Sequence, residues 1–292
     1  MGIARYSNVV TEPLTTQDHD RRRAGRTYVY PVVSRRARGV SVGVNLNPNN
    51  ACNWRCVYCQ VPGLVFGNAP LIDLALLERE LKEQLVEVQS PDWFERHAPV
   101  GSRRLNDVAL SGNGEPTSSR QLPEVIEAIA RTLEALLLLR KIKLVLITNG
   151  SLIQLEHVQQ SIRRMAELSG EVWFKLDSAT DAGLAAVNNF AGSALRQRRN
   201  LESCARLCPT WIQTCLLSID GRGPPPAEQA AYLSEIESLV RAKVPILGVH
   251  LYSLARPSFQ PEAPRLAALD PALLAEFAGA IEAKGMRVEL SP

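Results

Sequence analysis

The chain has 292 residues, of which 46% are apolar and 22% charged, with 33 lysines and arginines against 30 aspartates and glutamates. That is enough apolar material for one large core or two small ones, and the ordinary content of glycine (18) and proline (19) excludes collagen-like, coiled-coil and wholly disordered chains. No window approaches the roughly 18–20 consecutive apolar residues of a membrane helix, and the start, MGIARYSNVVTEP, lacks the apolar run of a secretory signal. A cytoplasmic protein without a membrane partner is expected.

In chain order, residues 1–26 are polar and patternless, which predicts a flexible basic arm ahead of one domain over 27–292. Residues 1–40 hold eight arginines (Arg5, Arg21, Arg22, Arg23, Arg26, Arg35, Arg36 and Arg38) against Glu12, Asp18 and Asp20. Arginine grips phosphate bidentately, so this end is a candidate RNA contact; a solvated arm is the plainer alternative. Beyond it, strand-like runs at 27–33, 41–46, 107–111, 143–148, 172–176, 211–217, 246–251 and 287–290 alternate with helical patterns. The helices are expected at 73–89, 121–139, 153–168, 197–207, 226–242 and 271–284, the first behind Asp73 as N-cap. Residues 90–106 and 218–227 read as loops. Strand–helix alternation with right-handed crossovers predicts an α/β fold, a parallel sheet curled into an open or closed barrel with helices outside.

Period-two splitting sorts each strand into an outward apolar face and an inward one. Val172, Phe174 and Leu176 separate from Lys175 and Asp177; Leu247, Val249 and Leu251 from Gly248, His250 and Tyr252; Val42, Val44 and Leu46 from Asn45 and Asn47. Ser111, Asn149, Gln213 and Cys215 are likewise expected in the lumen. A polar lumen costs free energy unless its groups are satisfied, so this lining points to a site, a wet hydrogen-bonded interior being the alternative.

The strongest signal is Cys52, Cys56 and Cys59, a C-x3-C-x2-C run directly after an apolar strand and an NLNPNN turn. Three thiolates on one short loop can converge on a soft metal centre. A disulfide would leave an odd thiol and need an oxidising compartment, and structural zinc would need a fourth ligand, which no neighbouring Cys or His supplies. A 4Fe-4S cluster held by three cysteines keeps one iron open for an exogenous ligand.

With these residues in place, the chain resembles the radical S-adenosylmethionine (SAM) enzymes over roughly residues 40–255. Cys52, Cys56 and Cys59 match that family's three cluster ligands, and Tyr58 the aromatic near the adenine. Gly112, Asn113, Gly114 and Glu115, followed by Pro116, look like its glycine-rich segment at the methionine amino group. Thr148-Asn149-Gly150 and Lys175-Leu176-Asp177-Ser178 end the next strands, where the family places ribose or carboxylate contacts; Gln213 is a further candidate. The resemblance implies a partial (β/α)6 TIM-like barrel, one 4Fe-4S cluster, and SAM bound to the open iron. It further implies reductive cleavage to a 5'-deoxyadenosyl radical that abstracts hydrogen from the substrate, and a reducing partner such as flavodoxin or ferredoxin. Lys175, His250 and Tyr252 are the candidate catalytic side chains, and Arg256 a candidate contact for a carboxylate or phosphate.

Within the superfamily the chain is most similar to the wyosine-synthase-like group, which modifies a tRNA guanosine. Ser34-Arg35-Arg36, SVGVNLNP, SGNGEPT, FKLD and HLYSLARP carry that similarity. It departs in one respect: that group holds a second cluster on upstream cysteines, and residues 1–51 contain none. The group also uses a lysine to hold pyruvate as a Schiff base, a role open to Lys175 if burial depresses its pKa, pairing with Asp177 or contact with SAM being the alternative. Cys204, Cys208 and Cys215 are expected to point to different sides of the barrel wall and to act as buried small hydrophobes. Three functions therefore stand: a radical enzyme on RNA, a radical enzyme on a small metabolite, peptide or partner enzyme, and a non-catalytic metal-binding or redox-sensing protein.

Overall fold

A computed structural model of the chain describes residues 13–15, 21, 25–36 and 39–291. Most of the expected basic arm, including Arg5, Arg22 and Arg23, and also Arg38, lies outside the described residues. Of its described residues, Pro13, Thr15 and Gly25 are exposed and Arg21 and Arg26 half-buried. Leu14 is buried and its N–H donates to the His97 carbonyl at 2.7 Å, while Arg26 bonds Gln84 and Glu87.

The first half of the domain runs β1 (Val29–Ser34), β2 (Gly39–Val44), β3 (Ala51–Cys52), β4 (Val65–Phe66), α1 (Leu74–Val88), α2 (Pro91–His97), β5 (Leu105–Leu110), α3 (Leu122–Ala135), β6 (Lys143–Thr148) and α4 (Glu156–Glu167). The second half runs β7 (Glu171–Lys175), α5 (Asp181–Asn188), α6 (Ala194–Leu207), β8 (Thr210–Cys215), β9 (Leu217–Ile219), α7 (Pro226–Arg241), β10 (Ile246–Tyr252), β11 (Leu266–Ala268), α8 (Pro271–Glu282) and β12 (Val288–Ser291). The eight main strands lie in the order β1-β2-β5-β6-β7-β8-β10-β12. β1 pairs antiparallel with β2 and every other neighbour pairs parallel. A helical crossover joins each successive pair of parallel strands, so the sheet curls as a partial barrel.

Two apolar layers hold it. Outside, Leu77, Leu81 and Leu85 of α1, Ile126 and Ile129 of α3, and Ile162 of α4 pack on Val42, Val108, Leu146 and Phe174 in one continuous core. Asp73 caps α1 as expected, accepting from the Leu76 N–H at 2.9 Å. Inside, Ala109, Val145, Trp173 and Trp211 form a smaller cluster with one residue from each of four adjacent strands. This inner layer is the floor of the lumen.

The structure differs from the sequence reading at four places. The stretch read as a loop at 90–106 holds α2, and 218–227 begins in β9. α5 has no counterpart among the expected helices. Leu247, expected on the buried outward face, is 42% exposed, because the β8–β10 register shifts between Ile246 and Gly248 and the alternation restarts there.

Candidate active site

The cysteine loop leaves β2 through Asn45 and Asn47, whose amides organise it: Asn47 donates to the Ala51 carbonyl at 2.9 Å, and Asn45 accepts from Asn113 N–H at 3.0 Å. Cys52 lies in β3, paired with β4, and the Cys59 N–H donates to the Cys56 carbonyl at 2.9 Å. Distant segments clamp the loop. The Val57 N–H bonds the Val187 carbonyl of α5, Ser258 donates to the Val57 carbonyl, the Phe259 N–H to the Cys59 carbonyl, and Arg55 forms a bidentate pair with Glu262 at 2.8 Å.

A cavity of about 290 Å³ opens at the C-terminal end of the strands. It gathers Cys52, Cys56, Cys59, Tyr58, Gly112, Asn113, Gly114, Glu115, Asn149, Lys175, Gln213 and Tyr252, together with Ser111 and Cys215. Twelve of the fourteen site residues expected from sequence therefore share one space. Asp177 and His250 do not line it.

Asp177 sits behind the wall. Its carboxylate accepts from the Tyr58 hydroxyl, from Asn188 Nδ2 at 2.7 Å and from the Cys215 N–H at 2.9 Å. It thereby holds the Tyr58 hydroxyl from behind the cavity wall. His250 lies one layer deeper, its ring 4.3 Å from that of Trp211 and 4.8 Å from that of Trp173, and neither ring nitrogen has a hydrogen-bond partner. Burial, then Arg36, Lys143 and Arg287, push its pKa down to about 3. The 3.7 Å approach of Glu289 does not offset this, since that carboxylate stays partly in water. His250 thus belongs to the lumen floor, with its neutral form favoured, and does not line the cavity.

Two expectations change in detail. Glu115 is 2% exposed and its carboxylate accepts four hydrogen bonds, from Thr117 N–H, Thr117 Oγ1, Thr148 Oγ1 and Asn149 N–H, tying the GNGEP turn to the end of β6. The glycines of that turn serve close packing against the cysteine loop: a Cβ on Gly114 would lie 2.0 Å from the Ala51 carbonyl oxygen, and one on Gly112 2.3 Å from Asn45 Oδ1. Lys175 donates to the Tyr58 hydroxyl at 2.7 Å and lies 3.9 Å from Asp177. Burial opposes its charge, but Asp177, Tyr252, Cys56 and Cys215 outweigh that and hold its pKa above the ordinary value. The ammonium form is favoured, the reverse of the depressed lysine that Schiff-base chemistry needs.

The thiols suit an iron–sulfur centre better than a lone ion. Among the described residues, no three His, Cys, Asp or Glu side chains converge tightly enough for a single metal ion, whereas the cysteines of a cluster bind separate irons. N–H donors already face the sulfurs: Trp54 N–H to Cys52 at 3.5 Å and Asn188 Nδ2 to Cys56 at 3.3 Å. Burial pushes Cys52 and Cys56 up to about 12 and raises Cys59, so metal binding must displace protons there. The other cysteines stay apart. Cys204 and Cys208 are buried in the outer core, where Cys208 bonds the Gly170 carbonyl, and Cys215 faces the cavity.

Sequence reasoning missed Asn188, Ser258, Gln260 and Glu262, which hold the cysteine loop from α5 and from the segment after β10. No local pattern marks them; only the weak signal of polar residues after a strand end was there to find. Arg21, read as part of a free arm, instead donates to Asn113 at 2.5 Å and lines the cavity.

A sequence profile of the radical SAM superfamily matches residues 46–222, from just after β2 to the turn after β9. The chain belongs to that superfamily. It is 32% identical over 135 residues to a UPF0026 protein of Helicobacter pylori (strain J99), covering 46% of this chain and 38% of that one. It is 26% identical over 135 residues to a Brachyspira hyodysenteriae protein named GTPase Obg, covering 45% of this chain and 17% of that one. The matched region thus spans less than half the length of these two curated relatives. Among solved structures, TYW1 with a lysine-pyruvate adduct bound superposes with a TM-score of 0.55 at 12% identity, covering 85% of this chain and 74% of that one. That likeness shows the fold. No helix among the described residues is long and apolar enough to cross a membrane.

Proposed function

We propose that Cys52, Cys56 and Cys59 hold one 4Fe-4S cluster and that the cavity beside them binds SAM and then a substrate, with an RNA nucleoside as the first candidate. The observation that carries this is the meeting of the three thiols, Tyr58, the GNGEP turn and Asn149 around a single cavity. When bound and reduced, the cluster and SAM together supply a carbon radical for hydrogen abstraction. The chain's own part is placement. The one lone pair of Glu115 Oε2 not taken by the Asn149 N–H remains for an ammonium, and Asn149 is fixed by Asn53 and Ser151 at the rim. Tyr58, locked by Asp177 and Lys175, offers a fixed ring face beside the thiols. Tyr252 is the candidate side chain for substrate contact from the opposite strands. Trp173 and Trp211 close the lumen below and exclude water.

The substrate reading rests on the likeness in fold to TYW1 and on arginines lining the cavity. A small metabolite is the second reading, favoured by the absence of cysteine from residues 1–51 and by the packing of Arg21 into the cavity rather than on an open surface. The test is anaerobic reconstitution with iron and sulfide, assay of both, and incubation with SAM, a strong reductant such as dithionite, and unmodified tRNA or metabolite pools. Production of 5'-deoxyadenosine and methionine by the loaded protein supports the reading; a loaded cluster with no cleavage under any condition overturns it.

A further inference from the structure

We infer that the Trp54 indole N–H donates a hydrogen bond to a sulfur of the iron–sulfur cluster and thereby raises its reduction potential. This rests on the reading of Cys52, Cys56 and Cys59 as the cluster's ligands. Among the described residues, two that line the cavity carry a buried side-chain nitrogen without a hydrogen-bond partner, Arg21 through Nε and Trp54 through Nε1. Arg21 engages Asn113 through Nη1. Trp54 has only the one side-chain polar atom, a donor, and the residue is 2% exposed. Buried indole N–H groups usually find an acceptor, so an orphan in a cavity wall marks a place where a bound group supplies one.

The position of the ring identifies that group. Trp54 lies midway between Cys52 and Cys56, and its backbone N–H already donates to Cys52 Sγ at 3.5 Å. Four consecutive residues at the end of α5 grip the cysteine loop in reverse order. The Val187 carbonyl accepts from the Val57 N–H, Asn188 donates to Cys56 Sγ, Asn189 donates to the Arg55 carbonyl, and Phe190 stacks on Trp54 with ring centroids 4.6 Å apart. The indole is thus held by one face, which leaves its N–H edge for a neighbour of the two thiols. The sulfurs of a cluster carry negative charge and accept such donors. A hydrogen bond of this kind strengthens when the cluster takes up an electron, and so favours the reduced form.

Anaerobic reconstitution of the full chain, followed by a redox titration monitored by electron paramagnetic resonance, tests the assignment. Trp54→Phe keeps a ring against Phe190 and removes the donor; benzothienylalanine at position 54 removes the donor and keeps the shape of the bicyclic ring. Each is expected to shift the one-electron equilibrium about tenfold toward the oxidised cluster, a drop of about 59 mV. A tryptophan that only fills space gives the opposite sign, because a smaller ring admits water, which stabilises the more highly charged reduced form. Pulsed resonance on loaded wild type with isotopically labelled indole nitrogen should also show a coupling to the reduced cluster; this measurement needs no variant to fold. A potential that is unchanged or raised in the variants, or no indole coupling in loaded wild type, overturns the inference and leaves the cysteine assignment standing. Wild type that takes up no iron and sulfide sinks the cysteine assignment, and the inference with it.

Discussion

Glu115 accepts the backbone N–H of Asn149 at 2.6 Å, and this bond joins two turns that both face the cavity. With Thr117 and Thr148 on the other oxygen, one carboxylate satisfies four buried donors. Removing it strands them. Glu115→Ala is expected to cost about 3 kcal/mol or more, since buried donors lose a charged acceptor. Denaturant unfolding measures the cost, and a loss below about 1 kcal/mol would contradict the tie.

Gly114 and Gly101 make a matched pair for testing close packing. A Cβ at Gly114 meets the Ala51 carbonyl oxygen at 2.0 Å, whereas one at Gly101 meets nothing within 4 Å. Gly114→Ala should push the GNGEP turn off the cysteine loop, destabilise by about 2 kcal/mol or more, and lower iron uptake on reconstitution. Gly101→Ala should stay within about 1 kcal/mol of wild type.

Cysteine replacement separates the two trios. Serine at position 52, 56 or 59 should abolish iron and sulfide uptake. Alanine at Cys204 or Cys208 should leave both intact and cost about 1–2 kcal/mol of stability, because these thiols fill the outer core and make only weak sulfur hydrogen bonds, to Thr210 and Gly170. Retention of a full iron complement after Cys56→Ser would refute the ligand assignment.

Asp107 and His250 give opposite pH signatures. Burial raises Asp107 from 3.8 to about 6, with Ser41, Glu171, Lys143 and Arg36 as its neighbours. The folded state therefore holds that proton more tightly, and the stability it contributes is full below about pH 4 and lost as pH rises through 6. Asp107→Asn should remove that decline, worth about 1.4 kcal/mol per pH unit inside the window.

His250 runs the other way. Its folded value falls from 6.5 to about 3, so its contribution is present above pH 6.5 and is lost as pH falls toward 3. His250→Phe keeps the ring packing against Trp173 and Trp211 and should flatten the acid limb of the stability curve. An unchanged acid limb in that variant would place the acid sensitivity elsewhere.

Much of this was readable from residues alone because the strongest signals are local. Each expected main strand lies within three residues of its observed ends, since apolar runs between helical patterns are unambiguous over five or six positions. α2 and α5 escaped because seven or eight residues give barely two turns, too few for a period of 3.6 to accumulate. At the site, the cysteine spacing sufficed to mark the loop whose three thiols line the cavity. Asp177 and His250 were misplaced for a common reason: alternation tells inward from outward but not depth along the barrel axis. His250 is one layer too low, and Asp177 turns aside to an asparagine and a tyrosine that only the fold brings near.

Among the described residues the sheet ends on β1 and β12 without closing on itself, which leaves these two strands with one side each unpaired by any described strand. Such edges invite neighbouring molecules to add on and aggregate. Here β1 carries Pro31, a residue that sheets tolerate only at their margins, and β12 carries Glu289, held by Arg287 at 2.5 Å. A missing donor on one flank and an ion pair on the other make poor templates for intermolecular ladders, so the seam stays open without becoming adhesive.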